Sequence, residues 1–528
     1  MRFSSSIVLV LGLSSPSWAG VTVQKAGLKV PSKYAHHRVD AVSLFHTSYS
    51  AYKQYAFGHD DLSPVSKGFS DGRNGWGASI VDAMPTMVVM GLDDFVTEAV
   101  NFSAHIDFSK SKTSDTVSIF ETTIRYVGGL LSAYELSGEK YPILVQKAKE
   151  VADKMAYGWV GNNSIPYGFL DFSTNTPTIS TSNIAEAGTL SLEWYTLTKH
   201  TKNQTYADLT AKSVKHIANL TSPLPGLAAQ GIDPTTGNFV GGYVTWGGGS
   251  DSYFEYLLKY ARLTNTNDST YIDTWKTAVD SSITTLLRKS TVGNHTFLAD
   301  FDDNRNIRHV GSHLGCFYAG NWLLGGKLLK NQTIIDLALE LNEGCWATYA
   351  GTLTGIGPEA FAYIGSDGSY PEDINADQLA FYNEKGYYIT SSQYIMRPEV
   401  LESNFHAWRV TGDTKYLDRA ASAIDSFKKY LPATVAFAAL NDVNSANGGL
   451  IDDMQSFWFA EVLKYLYLTF DDPKHISLDD WVLNTECQPF KAPPALNSYS
   501  GSGHYITKPR PFTVQPGVLP SVSPLSKV

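Results

Sequence analysis

The sequence predicts one large all-α domain in which an inner ring of buried helices is wrapped by an outer ring of two-faced ones. Three observations carry this. Helix-period apolar patterns alternate with Gly-, Asn-, Ser- and Thr-rich connections from residue 36 to about 490. No composition break divides that stretch, so it reads as a single unit with small hairpins in its loops. The helical segments are also of two kinds. Segment 452–470 carries Phe457, Trp458, Phe459, Val462, Leu463, Tyr465, Leu466 and Tyr467, and a helix apolar on every side must be buried on every side. Segment 417–429 is amphipathic and suits a surface layer.

The elements follow in order. Arg2, the apolar run 7–13 and the small residues Ser17 and Ala19 around Trp18 form a secretory signal peptide, with cleavage expected after Ala19. A buried strand or a signal anchor is the alternative, but the run is too short to span a bilayer. Residues 20–35 are a polar lead-in. Helices are predicted over 119–136, 185–198, 252–263, 275–287, 334–349, 398–410, 417–429 and 452–470. From 491 to 528 the chain turns rich in Pro, Ser and Gly without a helical period, which predicts a flexible tail.

Composition narrows the function. With 43% hydrophobic and 17% charged residues the chain can bury a large core and is not a disordered polymer. A net charge of -10 and the absence of any basic run leave no electrostatic footprint for nucleic acid. No later segment is long and apolar enough to anchor the mature chain, which is expected to be a soluble monomer, secreted or lumenal in the Golgi or endoplasmic reticulum. Asn-x-Ser/Thr sequons at Asn101, Asn162, Asn203, Asn219, Asn267, Asn294 and Asn331 fit that compartment. Of three cysteines, Cys316 and Cys345 could pair and leave Cys487 alone. Three buried thiols is the alternative, and an oxidising compartment favours the pair.

Four segments could carry chemistry. Glu121 and Arg125, four apart, share a helix face as either a surface ion pair or a charged pair opening an apolar helix. Asp251 follows Trp246-Gly247-Gly248-Gly249-Ser250, where it could be simply a helix cap. Glu399 and Glu402 follow Arg397-Pro398 at a helix start, where carboxylates complement the helix dipole or could hold water or a hydrated cation. Asn484-Thr485-Glu486 is a polar turn before Cys487-Gln488-Pro489. Its spacing matches neither a calcium loop nor a zinc site.

In this order the segments resemble the class I α-1,2-mannosidases, glycoside hydrolase family 47. The resemblance runs from Tyr49 to Pro489. It rests on Asn74-Gly75-Trp76-Gly77, Phe120-Glu121-Thr122-Thr123-Ile124-Arg125, Asp251-Ser252-Tyr253 and His313-Leu314-Gly315-Cys316. Gly357-Pro358-Glu359, Arg397-Pro398-Glu399, Gln455-Ser456-Phe457 and Asn484-Thr485-Glu486 complete it. The resemblance implies an (αα)7 double-ring helical barrel and an inverting hydrolase that trims high-mannose N-glycans from Man9 towards Man5. It implies three essential acids at Glu121, Asp251 and Glu399, with Glu399 as the base and either of the others as the acid. It implies Ca2+ bound by Thr485, and a sugar site lined or hydrated by Arg125, His313, Glu359, Arg397, Glu402, Phe457 and Glu461. The spacing of Cys316 and Cys345 is similar to the family's disulfide.

Departures are visible too. Pro85 stands where the family usually has Asp, which bears on the sugar cleft, and Cys487-Gln488 replaces the usual Ala-His. The family's single-residue trimmers carry Arg two residues before the acid matching Asp251; here that residue is Gly249, which implies broader trimming. A mannose-binding lectin that has kept the fold is the competing reading.

Overall fold

The computed structural model describes residues 20–369 and 374–499. The expected signal peptide lies outside the described residues. Within them, fourteen helices form two concentric rings: α1 (Ala35–Tyr55), α2 (Ala78–Met90), α3 (Asp93–Ala104), α4 (119–136), α5 (Pro142–Met155), α6 (Ser191–Thr201), α7 (Thr205–Asn219), α8 (Asp251–Thr264), α9 (Thr270–Thr285), α10 (Phe317–Leu328), α11 (Gln332–Ala350), α12 (Glu399–Thr411), α13 (Lys415–Tyr430) and α14 (458–470). The even-numbered helices touch in sequence, α2 to α4 and onward to α14, which returns to α2 and closes the inner ring. Each odd-numbered helix packs outside an inner one, with α1 against α14. The result is the (αα)7 barrel that the resemblance implied.

The burial pattern explains which helix goes where. α2 buries every residue except Val88, whereas α13 buries only the stripe Tyr416, Leu417, Ala420, Ala423, Ile424 and Phe427. Pro85 sits inside α2 and has no N–H for the Val81 carbonyl. That carbonyl faces Gly129 of α4, where a Cβ would come within 2.6 Å of it, so the two inner helices meet backbone to backbone. Pro85 is thus a buried packing residue between helices and lies off the cleft wall.

The structure departs from the predicted elements in three places. The helix expected over 452–470 starts only at Trp458, because Asp452 is engaged by the amides of Val65 (2.7 Å) and Ser66 (3.2 Å), and Met454 pairs with Leu62. The helix expected over 185–198 is broken into Ile184–Gly188 and α6. The tail expected from 491 is corrected as far as residue 499. Arg262 donates to the Pro493 carbonyl (2.9 Å), Val21 to that of Leu496 (2.8 Å), and Tyr499 to Asn265 (2.6 Å), so this segment is packed on the barrel base. The rest of the expected tail lies outside the described residues.

Cys316 at the start of α10 is bonded to Cys345 of α11 (Cα–Cα 5.8 Å), and Cys487 is a buried free thiol. Six sequon asparagines are exposed, and Asn331 is half-buried as the N-cap of α11. No described helix is long and apolar enough to cross a membrane.

Candidate active site

Inside the inner ring lies a cavity of about 700 Å³. Glu121 enters it from the first turn of α4, Asp251 from that of α8 and Glu399 from that of α12, so each sits at a helix N-terminus, where backbone amides favour negative charge. The floor comes from a hairpin, Trp481–Leu483 paired with Pro489–Lys491, whose turn reaches the barrel centre. Asn484 builds that turn. Its Oδ1 accepts from Glu486 (2.8 Å) and Gln488 (2.7 Å), and its Nδ2 donates to the Ile124 carbonyl and to Glu193. A wide π-turn over Thr123–Val127 of α4 and the bare Gly128 make room: a Cβ there would lie 2.9 Å from Asn484 Nδ2.

The charges divide sharply around this cavity. Arg125 donates from Nε to Glu121 (2.7 Å) and pairs through Nη1 with Glu486 (2.8 Å), and its guanidinium lies 5.5 Å from the Phe457 ring. Burial pushes the Glu121 carboxyl up, but Arg125 and Arg73 outweigh it and hold it below its ordinary value. For Glu399, burial is likewise overcome by His313, whose Nδ1 lies 2.7 Å from Oε2, and by Arg397. Among the described residues Asp251 has no such cationic partner within hydrogen-bonding reach and meets only Ser252. Burial, with added repulsion from Glu255 and Glu399, pushes it up to about 7 despite a hydrogen bond from the Ser252 amide. Two of the acids are thus biased towards the ionised form, and Asp251 is biased towards holding its proton.

Deeper in, negative charge is crowded. Glu461 is pushed far up by burial and then by Glu486, Glu399 and Glu402. Glu402 is raised by burial and Glu255, against the pull of Lys259. Glu486 is raised by burial to about 8 even though Arg125 opposes it, and its Oε2 is buried with no hydrogen-bond partner among the described residues. Among the described residues these floor carboxylates never bring three ligand atoms within 4.8 Å of one another. Half-buried Thr485 lines the cavity beside them. Crowded carboxylates, an orphaned acceptor and a threonine at the centre fit a hydrated divalent cation better than a carboxylate cage.

The residues expected at the sugar site fall into two groups. Arg125, Arg397, Phe457, Glu461 and Thr485 line the cavity with the three acids. His313, Glu359 and Glu402 stand behind it: His313 holds Glu399 and is itself held by Tyr349 (Nε2 to OH, 2.7 Å), and Glu359 accepts twice from Arg397 Nε (2.8 Å each). The Cys487-Gln488 departure is absorbed locally, since Gln488 donates to Asp82 and accepts from Lys464.

Sequence reading missed several members. Glu186 and Glu486 line the cavity. Asp60 organises the 73–78 loop, accepting from the amides of Arg73, Gly75, Gly77 and Ala78 and from Tyr126. Only Glu486 had a signal, as part of the Asn-Thr-Glu triplet; Glu186 is held by its near neighbours Ser182 and Asn183 in a segment without a motif, and Asp60 acts through partners further along the chain.

The profile of glycosyl hydrolase family 47 matches residues 44–492. A mannosyl-oligosaccharide alpha-1,2-mannosidase 1B of Aspergillus phoenicis is 39% identical over 477 residues, 86% of this chain and 91% of that protein. One of the same name from Emericella nidulans is 37% identical, over 90% of this chain and 97% of that protein. The solved alpha-1,2-mannosidase from Trichoderma reesei superposes with a TM-score of 0.84 at 35% identity, covering 87% of this chain and 99% of that one.

Proposed function

The chain belongs to glycosyl hydrolase family 47, and from that premise we propose that it removes terminal α-1,2-linked mannose from high-mannose N-glycans by a calcium-dependent, inverting hydrolysis in the secretory pathway. The observation that carries this reading is the unlike setting of two acids on one cavity. Glu399 is paired with His313 Nδ1 at 2.7 Å, whereas Asp251 meets the Ser252 amide at 2.9 Å, a contrast that favours the charged form of the first and the protonated form of the second. Inversion needs such a pair: a carboxylate to activate water on one ring face and a carboxylic acid to protonate the leaving oxygen on the other. Glu399 takes a proton from water, which attacks the anomeric carbon. As the glycosidic bond breaks, Asp251 gives its proton to the departing oxygen. Glu121, kept ionised by Arg125 and Arg73, orients hydroxyls and water. Phe457 gives the ring an apolar floor.

Thr485 would hold the calcium through its hydroxyl and carbonyl oxygens, where the ion supplies positive charge to the crowded floor and a template for ring hydroxyls. Gly249, with φ at +84°, lines the cavity wall without a side chain. A Cβ there would meet Gln230 Nε2 at 2.9 Å, so the amide of Gln230 and no guanidinium fills this place, and the lack of a charged side chain to fix one glycan arm supports trimming towards Man5.

Digestion of a Man9 glycan followed by mass, with and without EDTA, tests the reading. Loss of successive hexoses that chelation stops is expected. A chain that binds mannose but releases none from Man9 or from α-1,2-mannobiose would be the lectin instead.

A further inference from the structure

Beside the catalytic cavity lies a second one, of about 340 Å³, that hydrolysis of the terminal mannose does not use. The partition is thin. Gly248 borders both cavities, and a Cβ on it would lie 3.2 Å from Leu314 Cδ1, which lines the catalytic side. The far wall is the strand pairing of Val310–Ser312 with Ala360–Ala362 and Tyr388–Ser391, which sets Ser312 inside and Thr390 at the rim.

Its chemistry is that of a sugar site. Asp300 presents a carboxylate already oriented by the Tyr243 hydroxyl (2.7 Å), Gln230 lies over the partition with Nε2 on the Gly248 carbonyl (2.7 Å), and Ser312 adds a hydroxyl. Trp246 and Phe361 back the wall as buried rings, packed on Phe254 and Trp322 and on Phe297, so the ligand contacts fall to the polar groups. Among the described residues no Lys or Arg lines the cavity and a carboxylate does, which argues against an anionic ligand and for a neutral polyol. Burial pushes Asp300 up to about 6, with Thr245 and Tyr243 opposing, so it remains an ionised acceptor at neutral pH.

We propose that this second cavity binds a non-reacting hexose of the branched substrate, gripping one arm while another is cut next door. The inference rests on the mannosidase reading above and names how that activity selects a branched glycan over a short one. A disaccharide filling the catalytic cavity has no arm to place there.

The test compares wild type, Thr390→Trp and Asp300→Asn on Man9 and on α-1,2-mannobiose. Thr390 is exposed on a strand, where an aromatic is well tolerated, so the first variant blocks the mouth without entering the core. Asp300→Asn keeps the shape and an oxygen for Tyr243. The expected result is a loss of about tenfold in kcat/KM on Man9, the size of one lost charge-assisted hydrogen bond, with mannobiose turnover within about twofold of wild type. Equal losses on both substrates, or none on Man9, overturn the inference. So does a cavity that serves only free monosaccharide, seen as methyl α-mannoside binding by NMR that Thr390→Trp removes while Man9 kinetics stay unchanged. If wild type cleaves neither substrate, it is the mannosidase reading that fails.

Discussion

Replacing Glu399 by Gln removes the proposed base and almost nothing else. Glu399 is the first residue of α12, and its Oε2 meets His313 Nδ1 at 2.7 Å. Gln can offer an oxygen at the same place, so His313 keeps a partner and Tyr349 still holds its other nitrogen. The side chain is 12% exposed, so no deep cavity or orphaned charge is created. A shift in Tm below about 4 °C is expected, in line with a change of about 1 kcal/mol in a large domain. Turnover should fall by about 10²–10⁴-fold, the usual cost of a lost general base, or roughly 3–5 kcal/mol in the barrier. A second effect identifies the mechanism. The Glu399 charge helps to raise Asp251, so the variant's Asp251 should titrate lower and the alkaline limb of its residual activity should move to lower pH. The assay is mannose release from α-1,2-mannobiose across pH, beside thermal unfolding. Wild-type kcat in the Gln variant would refute the assignment and send the search for the base to Glu121.

Wild-type kcat/KM should be bell-shaped. Glu399, held low, must lose its proton, so activity rises with pH below the ordinary carboxylate value; Asp251 must keep its proton, so activity falls above about 7. Full activity persisting to pH 9 would exclude Asp251 as the acid. Exhaustive EDTA treatment should abolish turnover and lower Tm, and added calcium should restore both. A ligand at a hundred times its Kd stabilises the native state by about 2.7 kcal/mol. Undiminished turnover after chelation would remove calcium from the account. Cys316→Ser should cost about 3–4 kcal/mol in urea unfolding, the chain-entropy value for a loop of 29 residues. A loss below 1 kcal/mol would mean that the bond constrains little.

What could be read in advance depended on whether a residue works with its neighbours in sequence or with distant ones. α8, α11 and α13 were legible because their apolar period is local. α2 was not, because Pro85 and the flanking glycines look like breakers; the helix is held by burial along nearly its whole length, and its backbone meets α4 at Gly129. The early start given to α14 failed at Asp452, whose polar side chain serves the amides of a remote hairpin. In the site, Glu121, Asp251 and Glu399 stood out only through the motifs around them, since each could equally cap or complement a helix. The reason their charge settings differ lies in partners 86 residues away for Glu399 and 4 for Glu121, and in the lack of a cationic one for Asp251 among the described residues. Asp60 and Tyr349 had no local signal at all, since one works by gathering loop amides and the other by holding a histidine.

The central claim is an inverting displacement in which Glu399 activates water and Asp251 protonates the leaving oxygen. Proton NMR of the first mannose released from α-1,2-mannobiose, recorded before mutarotation, tests it most directly. The account predicts β-mannose as the initial product, with the α anomer growing in only as the sugar equilibrates. α-Mannose appearing first would establish retention and contradict the account.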